Sequence, residues 1–132
     1  MDNQFEILGI KSIDDLYEAL CHVWCAETCA PRMRKDWSKE NMTLGQCSIT
    51  SFLIQDIFGG EVFGVPLKEG GYHCFNCING VDYDLTAAQF GNTKLVYNHK
   101  YLQSREEHFR DKEKYQRYLL LKEKLLTYLS HK

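Results

Sequence analysis

GQCSITSFLIQDIFGG (residues 45–60) and EVFGVPLKEGGYHCFNCINGVDYDLTAAQF (residues 61–90) are the stretch whose reading decides the fold. In the first segment Ile49, Phe52, Leu53, Ile57 and Phe58 recur at helical spacing. Gly59-Gly60 ends the run, because glycine takes a left-handed cap at little cost. In the second segment Val62, Phe63 and Val65 mark a short strand over 61–67, and Lys68-Glu69-Gly70-Gly71 a turn. Tyr72 to Ile78 is a second strand and Val81 to Leu85 its return, joined by Asn79-Gly80, the residue pair of a two-residue hairpin loop. A helix followed by consecutive antiparallel strands predicts an α+β fold, with a small antiparallel sheet flanked by helices.

The hairpin has a definite register. With Asn79-Gly80 as the whole loop, Ile78 faces Val81, Phe75 faces Asp84 and His73 faces Thr86. Side chains alternate along a strand, so His73, Phe75 and Asp84 share a face and Asn76 points to the other. Asp84 is diagonal to His73, at about 7–8 Å between backbones, within reach of long side chains. Asp82 lies on the same face, one step further off. A three-residue loop with a bulge would reverse this parity.

Cys47 falls in the first turn of the helix, where unpaired amides and the dipole favour an anion and lower a thiol's pKa. Cysteine, histidine and aspartate in this setting are the parts of a thiol acyl-transfer site: nucleophile, base and orienter. Gln46 offers a donor to an oxyanion, Gly45 lets the backbone approach a ligand or turn sharply, and Asn76 and Trp24 join Gln46 as candidates for positioning a substrate. Each residue alone also has a bland reading. Cys47 suits a small hydrophobe in a core helix, His73 a strand histidine bonded to backbone, and Asp84 a strand-end residue.

The order Cys, His, Asp, with the cysteine at a helix start and the others on adjacent strands, resembles papain-like and transglutaminase-like folds. Asp84-Leu85-Thr86 is similar to the short Asp-x-Thr run of transglutaminase-like proteins. A nearer resemblance is to the YunG family of small uncharacterised bacterial proteins. It is carried by Gly45-Gln46-Cys47, Gly59-Gly60, His73-x-x-Asn76, Asp84-Leu85-Thr86, Gln89-Phe90, Trp24-x-x-Glu27-Thr28 and Trp37, over most of residues 15–110. Cys74 departs from that pattern, which has an aromatic residue after the histidine. The family carries no established activity, so the resemblance implies a papain-like or transglutaminase-like core and the three positions, and leaves the reaction open.

The 132 residues read as one domain, with an N-terminal segment at 1–11, a core at 12–103 and a long C-terminal helix at 104–132. With 44% hydrophobic and 26% charged residues the composition is that of a globular protein. A net charge of −2 gives no electrostatic case for nucleic acid or an anionic membrane. Met1 to Ile10 lacks the basic and apolar regions of an export signal, and no apolar run is long enough to span a bilayer. The expected compartment is the cytoplasm, where six cysteines are thiols rather than disulfides.

Ser12 with Asp15 reads as a helix start, and Ile13, Leu16, Tyr17, Leu20, Cys21 and Trp24 as an apolar stripe of a helix running to about Thr28. On such a helix Cys21, Cys25 and Cys29 share one face. With the Cys74-x-x-Cys77 pair they make a structural zinc site conceivable, although Cys74 and Cys77 point to opposite faces of their strand; no metal or other cofactor is expected. Residues 31–44 are a polar connector, 87–90 a helical turn, and 93–97 a further strand. Ser104 with Glu107 caps the last helix, whose apolar stripe suits docking on its own domain or a homodimer contact. The leading functional expectation is a thiol-dependent hydrolase or acyltransferase acting on a small-molecule or peptide amide or ester. The alternatives are a non-catalytic binding domain on the same fold and a structural zinc protein.

Overall fold

Helix α3 (Cys47–Phe58) is buried on nearly every side, through Ile49, Phe52, Leu53, Ile54 and Ile57 and also Thr50 and Ser51. Such a helix needs neighbours all round. In this computed structural model, which describes residues 3–68 and 70–132, a four-stranded sheet covers one side of α3 and the C-terminal helix another. Met1, Asp2 and, in the expected turn, Glu69 lie outside the described residues.

The strands are β1 (Glu61–Pro66), β2 (Tyr72–Ile78), β3 (Val81–Tyr83) and β4 (Tyr101–Leu102), in the order β3-β2-β1-β4 with every neighbouring pair antiparallel. The hairpin register is the one read from Asn79-Gly80, with Ile78 paired to Val81, Cys77 to Asp82 and Asn76 to Tyr83, but the return strand ends at Tyr83 rather than Leu85, so Asp84 follows the ladder instead of lying in it. Asn76 faces α3, and its Nδ2 donates to the Ser51 carbonyl at 2.8 Å. The passage from α3 to β1 turns on Gly60, at φ +80°, where a Cβ would stand 2.5 Å from the Cys77 carbonyl oxygen.

Three expectations are corrected. The second helix of the chain, α2 (Ile13–Leu20), begins at the Ser12 cap but stops far short of Thr28. Trp24 buries its ring in the core and donates Nε1–H to Thr50 Oγ1 at 3.0 Å, and Cys25 follows in extended backbone as the cap of a 3₁₀ turn at Ala26–Thr28. Core placement of the largest side chain outweighs the few tenths of a kcal/mol per residue of helix propensity. Cys21, Cys25 and Cys29 therefore share no helix face. All six cysteines are free thiols, and among the described residues no three His, Cys, Asp or Glu stand together to hold a metal.

Residues 93–97 form no strand; the edge strand β4 comes later, and Tyr97 is turned toward Asp84 and Phe75. The C-terminal helix is two pieces, α4 (Arg105–Phe109), capped by Ser104, and α5 (Lys112–Ser130), restarted by Asp111. Asp111 Oδ1 accepts the Lys114 amide at 3.2 Å, a second N-cap that breaks the run. The N-terminal segment also holds a helix, α1 (Asn3–Ile7), which brings Phe5 into the core. Tyr118, Leu121, Leu125 and Leu129 of α5 pack into the chain's own core, while Tyr115 and Leu119 stay exposed. Among the described residues no helix is long and apolar enough to cross a membrane.

Candidate functional site

The chain enters α3 through a crossing that only glycine fits. Gly45 sits at φ +69°, and a Cβ there would lie 2.6 Å from Cys29 Sγ and 2.9 Å from the Ala30 nitrogen. Its carbonyl accepts the Ala30 amide at 3.0 Å. Gln46 follows as the N-cap without a side-chain cap bond, and its buried Nε2 donates to the Cys25 carbonyl at 3.1 Å. The first-turn amides of α3 thus keep their donors, and Cys47, half-buried, stands among them.

His73 lies on β2 opposite Val65, with 1% of its surface exposed. Its Nε2 meets Asp84 Oδ2 at 2.7 Å. That oxygen also accepts the Tyr97 hydroxyl at 2.7 Å, while Oδ1 accepts the Thr86 amide at 3.2 Å and the Thr86 hydroxyl at 3.4 Å. Four donors on two oxygens suit an ionised, acceptor-only carboxylate and direct the Nε2 proton of His73 toward it. Phe90 closes over the imidazole edge-on, at 4.7 Å between centroids. Gln89 beside it accepts the Gly45 amide at 3.4 Å and so ties this turn to the start of α3. The other ring nitrogen, Nδ1, is buried and has no hydrogen-bond partner among the described residues.

Cys47 and His73 open on one cleft of about 980 Å³. A hydrogen bond from Cys74 holds the Cys47 thiol well below its ordinary range; burial opposes this, and the His73 imidazolium adds to it. Cys74, buried beside Cys47, is pushed the other way, well above its ordinary range, by that neighbour and by its burial. Cys74 shares the α3-facing side of β2 with Asn76, whose Nδ2 meets the carbonyl of Ser51, four residues along α3 from Cys47. Burial alone would lower the pKa of His73, but Asp84 and the Cys47 thiolate together raise it to about 9.

The sequence-derived trio Cys47, His73 and Asp84 is thus brought together. Gln46, Asn76 and Trp24 do not line the cleft. Gln46 Nε2, Asn76 Nδ2 and Trp24 Nε1 donate to the Cys25 carbonyl, the Ser51 carbonyl and Thr50 Oγ1, which makes these residues braces of the α3 entrance rather than groups facing a substrate. Cys74, Tyr97, Thr86 and Phe90 are additional members. Cys74 was visible as a departure from a pattern and as half of the Cys74-x-x-Cys77 pair, neither of which pointed to Cys47, and Tyr97 carried no signal as a site residue. Replacing Cys74 with alanine should move the pH profile of Cys47 alkylation upward, because a donor to the thiolate is lost. An unmoved profile would exclude Cys74 from the site.

A family model described as "YunG protein" matches residues 12–130. An "Uncharacterized protein YunG" of Bacillus subtilis (strain 168) is 44% identical over 82 residues, covering 61% of this chain and 69% of that protein. No solved structure matches.

Proposed function

The chain belongs to the YunG family, and we propose that it is a thiol-dependent hydrolase or acyltransferase acting on an amide or ester, with Cys47, His73 and Asp84 in a papain-like or transglutaminase-like arrangement. The observation that carries this reading is the buried His73–Asp84 pair with its free Nδ1, beside a half-buried helix-start thiol on a cleft.

The resting site holds a Cys47 thiolate and a His73 imidazolium. The sulfur attacks the carbonyl carbon, and the oxyanion is met by the Cys47 and Ser48 amides of the first helical turn. His73 passes its Nδ1 proton to the leaving nitrogen or oxygen as the bond to carbon breaks, leaving an acyl thioester. Asp84 keeps the proton on Nε2, so the bare Nδ1 then takes a proton from water or an acceptor amine. That nucleophile attacks the thioester, and the thiolate leaves. Tyr97 and Thr86 hold the carboxylate, and Phe90 shields the imidazole from water.

Alkylation by iodoacetamide with peptide mapping tests the reading. At pH 6.5 an ordinary thiol is about 1% thiolate, so a fully ionised Cys47 gains up to about 100-fold. Its lower intrinsic nucleophilicity returns part of this and leaves about tenfold over Cys21 and Cys25. Equal rates would leave the cleft as a binding site without a nucleophile.

A further inference from the structure

On the same cleft as Cys47, Gln103 and residues of α4 and α5 form a second polar chain whose proton positions follow from its connections. Gln103 Nε2 donates to the Tyr101 carbonyl at 3.1 Å, so Gln103 Oε1 must face the other way. That oxygen meets His108 Nε2 at 2.8 Å and can only accept, which places a proton on Nε2. Burial, with Lys114 adding to it, lowers the pKa of His108 and keeps the ring neutral. Nδ1 is then bare and accepts from Lys114 Nζ at 2.9 Å. The imidazole packs against Phe52 in a tilted contact, at 5.1 Å between centroids and 59° between ring planes.

Lys114 is thereby held as a half-buried ammonium with two of its three protons uncommitted, and it lines the same cleft as Cys47 and His73. Among the described residues it has no carboxylate within ion-pair distance. The acids around the cleft are otherwise engaged or solvated. Glu113 is bound twice by Arg117 Nε, at 2.8 and 2.9 Å, Asp111 caps α5, and Glu107 is exposed. The other cations differ from Lys114. Arg117 is spent on Glu113 and the Thr28 carbonyl, and Arg32 is exposed. A partly desolvated ammonium fixed by a neutral acceptor is best satisfied by an anion.

We propose that Lys114 receives a carboxylate of the substrate, so that the cleft selects acyl compounds bearing an acidic group near the scissile carbonyl. This rests on Cys47 being the nucleophile, and the test separates the two. Iodoacetate and iodoacetamide transfer similar alkyl groups to sulfur with loss of iodide and differ by one carboxylate. Their rate ratio at Cys47 therefore reads the field of Lys114, while the iodoacetamide rate alone reads the thiolate. Lys114→Gln should lower the iodoacetate-to-iodoacetamide ratio about fivefold, the scale of a partly exposed ion pair. Lys114→Arg should retain the ratio, as should Lys112→Gln, an exposed cation off the cleft. Raising salt should lower the ratio in the wild-type chain more than in Lys114→Gln. A fast iodoacetamide reaction with an unchanged ratio in Lys114→Gln overturns the carboxylate role and leaves the nucleophile standing. Slow reaction of Cys47 with both reagents in the wild-type chain overturns both.

Discussion

His73→Ala should slow acyl transfer by about 10²–10⁴-fold, the range for loss of a positioned acid–base group. The variant removes the imidazolium that stabilises the Cys47 thiolate and the proton that the leaving group needs. Asp84→Asn should rank next. The amide can still bond the ring, but its NH₂ would donate to Nε2, driving the remaining proton to Nδ1, the tautomer that cannot accept from the incoming nucleophile. It also leaves Tyr97 and Thr86 without the charged acceptor they share. Asp82→Asn should change little, because Asp82 is exposed and pairs with Lys100 at 3.3 Å, a surface contact of about 0–1 kcal/mol.

The sign of the pH effect follows from His73. Its pKa stands near 9, above the ordinary value, because Asp84 and Cys47 hold the cation against burial. Leaving-group protonation is therefore present below that value and lost as pH rises through it. Asp84→Asn removes one of the two supports and should move this upper limb to lower pH. Single losses should not add, because the three groups act as a unit. An Asp82 variant more damaging than the Asp84 variant, in acyl-transfer rate or in the upper limb, would contradict the assignment.

Gly60→Ala should cost about 3 kcal/mol or more in unfolding free energy, which places it among the severe single substitutions. Two effects combine. The residue sits at φ +80°, which costs an L side chain about 1–2 kcal/mol. The added Cβ would also lie 2.5 Å from the Cys77 carbonyl oxygen and 2.9 Å from Ile78 Cγ1, and the first of these is backbone in a paired strand. Gly80→Ala separates the two effects. Gly80 has the same φ of +80° with nothing within 4 Å of its Cβ position, so only the conformational part should appear. Urea unfolding of the two variants measures the difference. Equal losses would mean that the α3–β1 connection shifts to make room and that close packing there contributes little.

What the sequence alone determined is what local rules govern. A period of two along a strand and a two-residue Asn-Gly loop set the β2–β3 register, and that register carried Asp84 to His73 with no knowledge of the rest of the chain. The helical spacing after Gly45 likewise put Cys47 at the start of α3. The Ser104 cap was legible for the same reason, since capping acts over three residues. Tertiary structure decided the remainder, because those choices compare distant partners. Whether a helix runs past Leu20 depends on where Trp24 finds Thr50, and whether Gln46 faces a ligand depends on the Cys25 carbonyl reaching it first. Tyr97 reaches Asp84 from a segment with no regular structure. Cys74 meets Cys47, and Lys114 meets the cleft, only because the sheet and α5 pack around the same helix. Such contacts bring together residues far apart in the chain, and neither hydrophobic period nor turn chemistry reports which distant groups burial will make neighbours.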